Sequence, residues 1–435
     1  MKVAVFGLWH LGSVTAACLA DSGHDVIGID ENLQIIEKLT AGMAPLFEPD
    51  LDDLIKRGIE GKKLKFSELK AESFADAQVV WVTYDTPVDD EDTADVEYVI
   101  NKIICILPYL SIDTVILVSS QLPVGSIRGL ESYAKENHSP LQLRFACSPE
   151  NLRLGQAIKV FTNPDRIIVG VRDQESKNML MELIHPVSKK IEWMSTESAE
   201  MTKHAINAFL ATSITFTNEI ASICEAVGAN AKEVERGLKT ESRIGPRAYV
   251  SPGGPFAGGT LARDIAFLGT VAADNDLVTP VLSSVRLSND EHKNWAKRKL
   301  LQHFGDLHNK TIAVWGLTYK PGTNTLRRSL AVELCNWIMA QGGDINVYDP
   351  VVEELPKRWE NGVTRYFSGR DALRNADALV VATEWPELKG AALEIALTDV
   401  YALIIVDANG FLKDTLGDKA MKYYVVGEQI LDEDA

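Results

Sequence analysis

Two stretches far apart in the chain are built alike: KVAVFGLWHLG at residues 2–12 and KTIAVWGLTYKPG at 310–322. Each is a short apolar run rich in β-branched residues that breaks on a glycine, Gly7 or Gly316. Each is followed by a second apolar run that closes on an aspartate, DVIGID ending at Asp30 and DINVYDP at 344–350. Parallel strands need a long crossover between them, so strand, glycine turn, helix-compatible stretch and acid-terminated strand together spell a βαβ unit. A third pair, VVWVTYDTP and LVVATEWPE, extends the likeness. The repeat at both ends commits the chain to an α/β fold with two Rossmann-like domains, ligands being expected in the cleft between them.

The first turn is the more informative. A dinucleotide-binding turn usually reads G-x-G-x-x-G, its middle glycine letting the backbone approach a pyrophosphate. Here Gly7 and Gly12 occupy the outer positions and Trp9 the middle one. Asp30 follows at the end of the second strand, where an acid meets the ribose hydroxyls of NAD. The spacing therefore predicts an NAD site whose turn carries one bulky departure.

Between the two ends, TVILVSSQLPVGS (114–126), LQLRFACSPENL (141–152) and DRIIVGV (165–171) add strand-to-loop units to the first domain, and ALIIVDANG (402–410) adds a strand to the last. From Thr196 the texture changes, because SAEMTKHAINAFLATSITFTNEIASICEAVG holds apolar residues at helical spacing, without proline, as far as Gly228. The expected layout is an NAD-binding domain over 1–195, a helical centre over 196–300 with a long spine helix and a dimer surface, and a second Rossmann-like domain over 301–435. A net charge of -17 argues against nucleic acid as partner, since phosphate binding needs clustered lysine and arginine. The acidic run Asp89–Asp92 reads as a solvated loop. No run approaches the ~18 apolar residues of a membrane span, and the N-terminus reads as a buried strand rather than a signal peptide, so the expected location is the cytoplasm. The five cysteines, Cys18, Cys105, Cys147, Cys224 and Cys335, lack C-x-x-C spacing; they read as buried free thiols, with neither disulfides nor a metal site indicated.

Two segments carry candidate chemistry. Lys203 and Asn207 stand one helical turn apart and so share a face. Such a pair is commonly just solvated, but Ala199, Met201, Ala205, Ile206, Ala208 and Phe209 make these surroundings apolar and point the pair toward a cleft. A lysine there can hold a developing oxyanion, and an asparagine can orient a water or hydroxyl. The segment RIGPRAYVSPGGPFAGGTLARD (243–264) is rich in glycines that permit close backbone approach; Arg243 and Arg247 bring charge suited to phosphate, and Asp264 is a candidate general base. No histidine stands near Thr260 in sequence to activate it.

With these segments in view, the chain resembles the UDP-glucose/GDP-mannose dehydrogenase family over nearly its whole length. The resemblance rests on LTAGMAPLFEPDL (39–51), ADAQVVWVTYDTP, ADVEYV, LPVG, SPENLRLGQAI (148–158), FTNPDRIIVG, KHAINAFLA (203–211), the 243–264 segment, WGLTYKPGTNTLRRS (315–329), VYDP and ATEW, in that order. It implies NAD as cofactor, a UDP- or GDP-sugar as substrate, a homodimer, and a place in polysaccharide precursor supply. It also implies roles residue by residue. Gly7, Trp9, Gly12, Asp30, Thr86, Gln121, Arg263 and Arg327 fall at cofactor-binding positions. Asn151, Leu152, Arg153, Leu154, Lys203, Asn207, Arg243, Tyr249, Gly253, Gly258 and Lys320 fall at sugar-nucleotide positions. Lys203, Asn207, Asp264 and Thr260 fall at catalytic ones.

Family members typically oxidise an alcohol twice, through an aldehyde captured on cysteine and a thioester that water hydrolyses. In this chain Thr260 stands where the cysteine belongs, Leu154 where a glutamate of the thioester stage belongs, Gln121 where a threonine belongs and Arg263 where a lysine belongs, while Lys203, Asn207 and Asp264 are retained. An alcohol needs an adjacent base to become a useful nucleophile, whereas a thiol is already partly ionised near neutral pH. The leading expectation is therefore a nucleotide-sugar oxidoreductase limited to a two-electron or reversible step. A non-catalytic nucleotide-sugar binder and a full four-electron dehydrogenase with an unusual mechanism stay open beside it.

Overall fold

The computed structural model describes residues 1–89, 94–150, 152–257, 259–359, 362–396 and 403–429. By compactness it divides into Met1–Ile206 and Asn207–Ala435, the boundary falling inside the helix Thr196–Val227. Asp90, Glu91 and Asp92 of the acidic run lie outside the described residues.

The first unit is built on eight strands: β1 (Lys2–Phe6), β2 (Asp25–Asp30), β3 (Leu64–Glu68), β4 (Val79–Val82), β5 (Val115–Val118), β6 (Arg144–Cys147), β7 (Ile167–Gly170) and β8 (Ile191–Met194). Their order is β3-β2-β1-β4-β5-β6-β7-β8, parallel except where β7 meets β6. Alternate residues feed two cores. Val3, Val5, Val79, Trp81, Val115 and Leu117 pack on one face with Val14 and Cys18 of the helix His10–Asp21. Ala4, Phe6, Val80, Val82, Ile116 and Val118 pack on the other with Ile103 and Leu130. Both faces are covered, so these strands read as continuous apolar runs.

The second unit begins with helices and then repeats the plan in six strands: β9 (Thr311–Trp315), β10 (Asp344–Tyr348), β11 (Val363–Arg365), β12 (Ala378–Val381), β13 (Ile404–Asp407) and β14 (Lys422–Tyr424), ordered β11-β10-β9-β12-β13-β14 and parallel. The sequence reading finds the central strands of both sheets and misses β3, β8, β11 and β14. The spine helix runs over 32 residues to Val227 and stops at Gly228, whose φ is +77°. Of the cysteines, four are buried as expected and Cys105 is not: it lies on an exposed position of the helix Val96–Ile106. Among the described residues no helix is long and apolar enough to cross a membrane.

The turn after β1 shows why its outer glycines are required. Gly7 has φ of +95°, and a Cβ there would come within 2.7 Å of the Tyr84 ring. A Cβ on Gly12 would lie 1.8 Å from the Gly7 carbonyl oxygen, which has no room to move because Thr83 Oγ1 donates to it at 2.7 Å. Gly12 thus lets the helix sit directly on the turn. Gly12→Ala is expected to cost about 2–3 kcal/mol through backbone displacement, read as a lower urea midpoint for the first unit; an unchanged midpoint would show that the helix can slide away freely.

Candidate active site

Trp9 caps the helix His10–Asp21 with φ of -70°, a conformation open to any L-residue, and its side chain is turned outward with the residue 44 % exposed. The φ at the middle of the turn therefore does not of itself demand glycine, and the exposed indole is not packed inside the loop. Asp30 is buried, one carboxylate oxygen accepting from the Leu8 N–H at 2.7 Å and the other from the Asn32 N–H at 2.8 Å. The second unit repeats this latch. Asp349 accepts from the N–H groups of Leu317 (2.6 Å) and Thr318 on one oxygen and of Val351 and Val352 on the other. No acidic residue stands in the first turn of the helix His10–Asp21, so its unpaired N–H groups and dipole suit an anion.

Also in the first unit, Thr86 and Gln121 come together, the Thr86 hydroxyl donating to the Gln121 carbonyl at 2.7 Å. The spine helix anchors two loops from one end. Glu200 accepts from the Gly125 and Ile127 N–H groups at 2.8 and 3.0 Å, and His204 Nε2 donates to the Leu122 carbonyl at 3.2 Å, fixing the LPVG loop. Burial pushes the Glu200 carboxyl up from its ordinary range, against the pull of those two N–H donors. Lys203 Nζ donates to the Glu150 carbonyl at 2.8 Å and so grips the SPENLRLG loop. In that loop Leu152 is half-buried, Arg153 and Leu154 are exposed, and Asn151 lies outside the described residues.

In the second unit Asn207 and Asp264 are brought together: both are buried, and the Asn207 amide donates to the Asp264 carboxylate. Thr260 opens the helix Thr260–Asp274 on an exposed position after Gly259, whose φ is +97°. Arg263 is half-buried in the first turn of that helix. A Cβ on Gly259 would meet the Tyr319 hydroxyl at 3.1 Å, so the 243–264 and 315–329 segments are neighbours. Arg243 is exposed and paired with Glu241 at 2.9 Å; Tyr249, Lys320 and Arg327 are exposed, and Gly258 lies outside the described residues.

Residues that the sequence reading passed over hold the glycine-rich loop. Asn218 accepts from the Gly253 N–H at 3.0 Å, Asn409 accepts from the Gly254 N–H at 2.8 Å and donates to Glu384, and His292 Nε2 donates to the Gly253 carbonyl at 2.8 Å. Asn289 pairs with Phe256 through both of its amide groups, at 3.0 and 2.8 Å. A Cβ on Gly253 would sit 1.9 Å from the Asn409 side-chain oxygen, so any larger residue there must displace Asn409 from its bond to Gly254. Each anchor is a lone polar residue whose partner is a distant backbone atom, so no spacing rule marks it.

The chain matches three domain families in order: the NAD binding domain of the UDP-glucose/GDP-mannose dehydrogenase family over residues 1–188, the central domain of that family over 197–291, and its UDP binding domain over 313–414. The chain belongs to the UDP-glucose/GDP-mannose dehydrogenase family. It is 32% identical to the UDP-glucose 6-dehydrogenase of Rickettsia typhi, with 99% of this chain and 100% of that protein covered. It is 32% identical to the corresponding enzyme of Rhizobium meliloti, with 98% and 99% covered. Among solved structures it is similar to a UDP-glucose dehydrogenase from Pyrobaculum islandicum, with a TM-score of 0.84, 26% identity and 98% of each chain covered. The protein is accordingly an NAD-dependent dehydrogenase, and the two sheets are the Rossmann-like sheets expected from the sequence.

The geometry sets two expectations. Because Trp9 is exposed and has a negative φ, Trp9→Gly is expected to change NAD affinity less than about threefold by calorimetry, whereas relief of an obstruction would give tenfold or more. Burial, with Arg298 adding to it, holds the His292 imidazole below its ordinary pKa despite the bond to Gly253. The native state then keeps His292 neutral while the unfolded chain takes up a proton near pH ~6.5, so its contribution is present at neutral pH and is lost as pH falls through that region. The drop in Tm from pH 7.5 to 5.5 is expected to be smaller in His292→Gln than in the parent protein; equal drops would remove His292 from the pH response.

Proposed function

We propose that the protein oxidises a hydroxyl of a nucleotide sugar, UDP-glucose being the first candidate, delivers one hydride to NAD and stops at the two-electron stage or runs it reversibly. The substrate class rests on relatives named UDP-glucose 6-dehydrogenase that align over almost the entire chain. The observation that carries the limit to two electrons is the contrast within one helix: Asp264 is 1% exposed and satisfied by Asn207, while Thr260 is exposed at the helix start with no base hydrogen-bonded to it among the described residues.

The turn fits the cofactor, since Gly7 and Gly12 clear its backbone and the first turn of the helix behind it carries no acidic residue of its own, the nearby Glu48 and Asp30 being engaged by His10 and Leu8. NAD, when bound there, accepts the hydride. The chain's own residues manage the proton and the charge. Asp264 accepts the hydroxyl proton, and the Asn207 amide holds its carboxylate oriented for that transfer. Lys203, one turn before Asn207, supplies positive charge for the alkoxide that develops as the C–H bond breaks. Gly7, Trp9, Gly12, Asp30, Thr86 and Gln121 serve the cofactor, and Leu152, Arg153, Leu154, Tyr249, Gly253 and Lys320 the sugar nucleotide. Neither an exposed threonine nor Leu154 can replace the thiol and carboxylate that capture and hydrolysis require.

A homodimer belongs to the same proposal. Phe209, Phe216, Ile223 and Val227 stand exposed along the spine helix at steps of seven, seven and four residues, an apolar stripe on one face. The three-part division at 195 and 300 and a cytoplasmic location complete the reading.

The test is a product balance. With NAD and UDP-glucose the protein is expected to give at most one NADH per altered sugar and no uronic acid, and the double substitution Thr260→Cys with Leu154→Glu to yield uronic acid with two NADH per sugar. Two NADH per sugar with uronic acid from the unaltered protein would establish the four-electron reading instead, and sugar-nucleotide binding without NAD binding would leave only a binder.

A further inference from the structure

The motif LTAGMAPLFEPDL has no role in the reaction just described, yet its Glu48 sits at a junction. The Glu48 side chain is 1% exposed. One carboxylate oxygen accepts from His10 Nε2 at 2.9 Å and from the Gly155 N–H at 2.7 Å, and the other accepts from the Ala157 N–H at 2.8 Å. These donors outweigh the effect of burial and hold the carboxyl below its ordinary range.

The two partners belong to different functional segments of the first unit. His10 is the residue after Trp9 and the first of the helix His10–Asp21, so it moves with the cofactor turn. Gly155 and Ala157 follow Arg153 and Leu154 directly; Gly155 has φ of +83°, and the Ala157 N–H opens the helix Ala157–Thr162. A buried carboxylate with three donors has no water to fall back on, so displacing either side leaves an unpaired charge. The turn and the loop are consequently tied to one another through Glu48, in addition to their own anchors, Asp30 and Thr83 for the turn and Lys203 for the loop.

We propose that Glu48 and His10 are positioning residues that link the two ligand sites, so that ordering the cofactor turn also orders the 153–157 loop and the second ligand binds more tightly than the first. This rests on the assignment of the turn to NAD and of the loop to the nucleotide sugar. The coupling follows from shared ordering: a ligand that fixes one side has already met part of the conformational cost of fixing the other.

Calorimetry on the full chain tests it, with UDP-glucose titrated into the protein alone and into protein saturated with NADH. The unaltered protein is expected to bind UDP-glucose at least about fivefold more tightly with NADH present, and by linkage the reciprocal titration gives the same factor. His10→Phe keeps a ring but removes the nitrogen that meets Glu48; Glu48→Gln keeps the shape but leaves one oxygen in place of two. Both are expected to bring the factor within about twofold of unity. The ratio is the readout, so a uniform loss of either affinity does not count, and two variants guard against one that fails to fold. An undiminished factor in both variants, or no coupling in the unaltered protein while each ligand binds alone, overturns the linkage. Failure of UDP-glucose or NADH to bind alone strikes the site assignment instead, and the linkage falls with it.

Discussion

A carboxylate at the end of the second strand, accepting backbone N–H groups from the turn after the first, is the contact on which both halves depend. Asp30 does this for Leu8 and Asp349 for Leu317 and Thr318. A glycine turn between a buried strand and a buried helix strands its amide groups away from water, and an unpaired buried N–H is costly. The aspartate removes that cost and sets the spacing of the two strands in the same stroke. In the first unit the acid expected from the sequence to face a ribose is therefore first of all a brace for the turn, bonded to the N–H groups of Leu8 and Asn32.

The two latches also explain how much of the fold was legible. The central strands announce themselves because both faces are covered and nearly every residue is apolar. The four that escaped, β3, β8, β11 and β14, are the outer strands of the two sheets, with sequences LKFSE, IEWM, VTR and KYY. An outer strand is partly wetted, so polar residues interrupt its run and its short length leaves no period to count. Helix content was easier where it was long, as in the stretch from Thr196 to Gly228, and the expectation of a uniformly buried set of thiols failed at Cys105 because one amphipathic helix turns that position outward.

For the site, the legible part was the loops and the illegible part was what holds them. Gly253, Thr260 and Asp264 stand in a recognisable run, and Lys203 and Asn207 declare themselves by one-turn spacing. Asn218, Asn289, His292 and Asn409 lie far from that run in sequence, and they act through one or two hydrogen bonds each to its backbone. Glu200 and His204 do the same for the LPVG loop. A side chain that bonds a remote carbonyl leaves no pattern behind it, because the partner atom is common to every residue type. Binding loops of this kind are read from their own glycines, and their rigidity is written elsewhere in the chain.

The outward indole of Trp9 has a consequence of a different sort. Of the eight tryptophans in the chain, it alone has an exposed position, the others being buried or partly so. A water-facing indole emits at longer wavelength than a shielded one and is the first reached by a dissolved collisional quencher. The residue that departs from the usual glycine thereby gives the turn after β1 an optical signal of its own, separable from the rest of the molecule without any label.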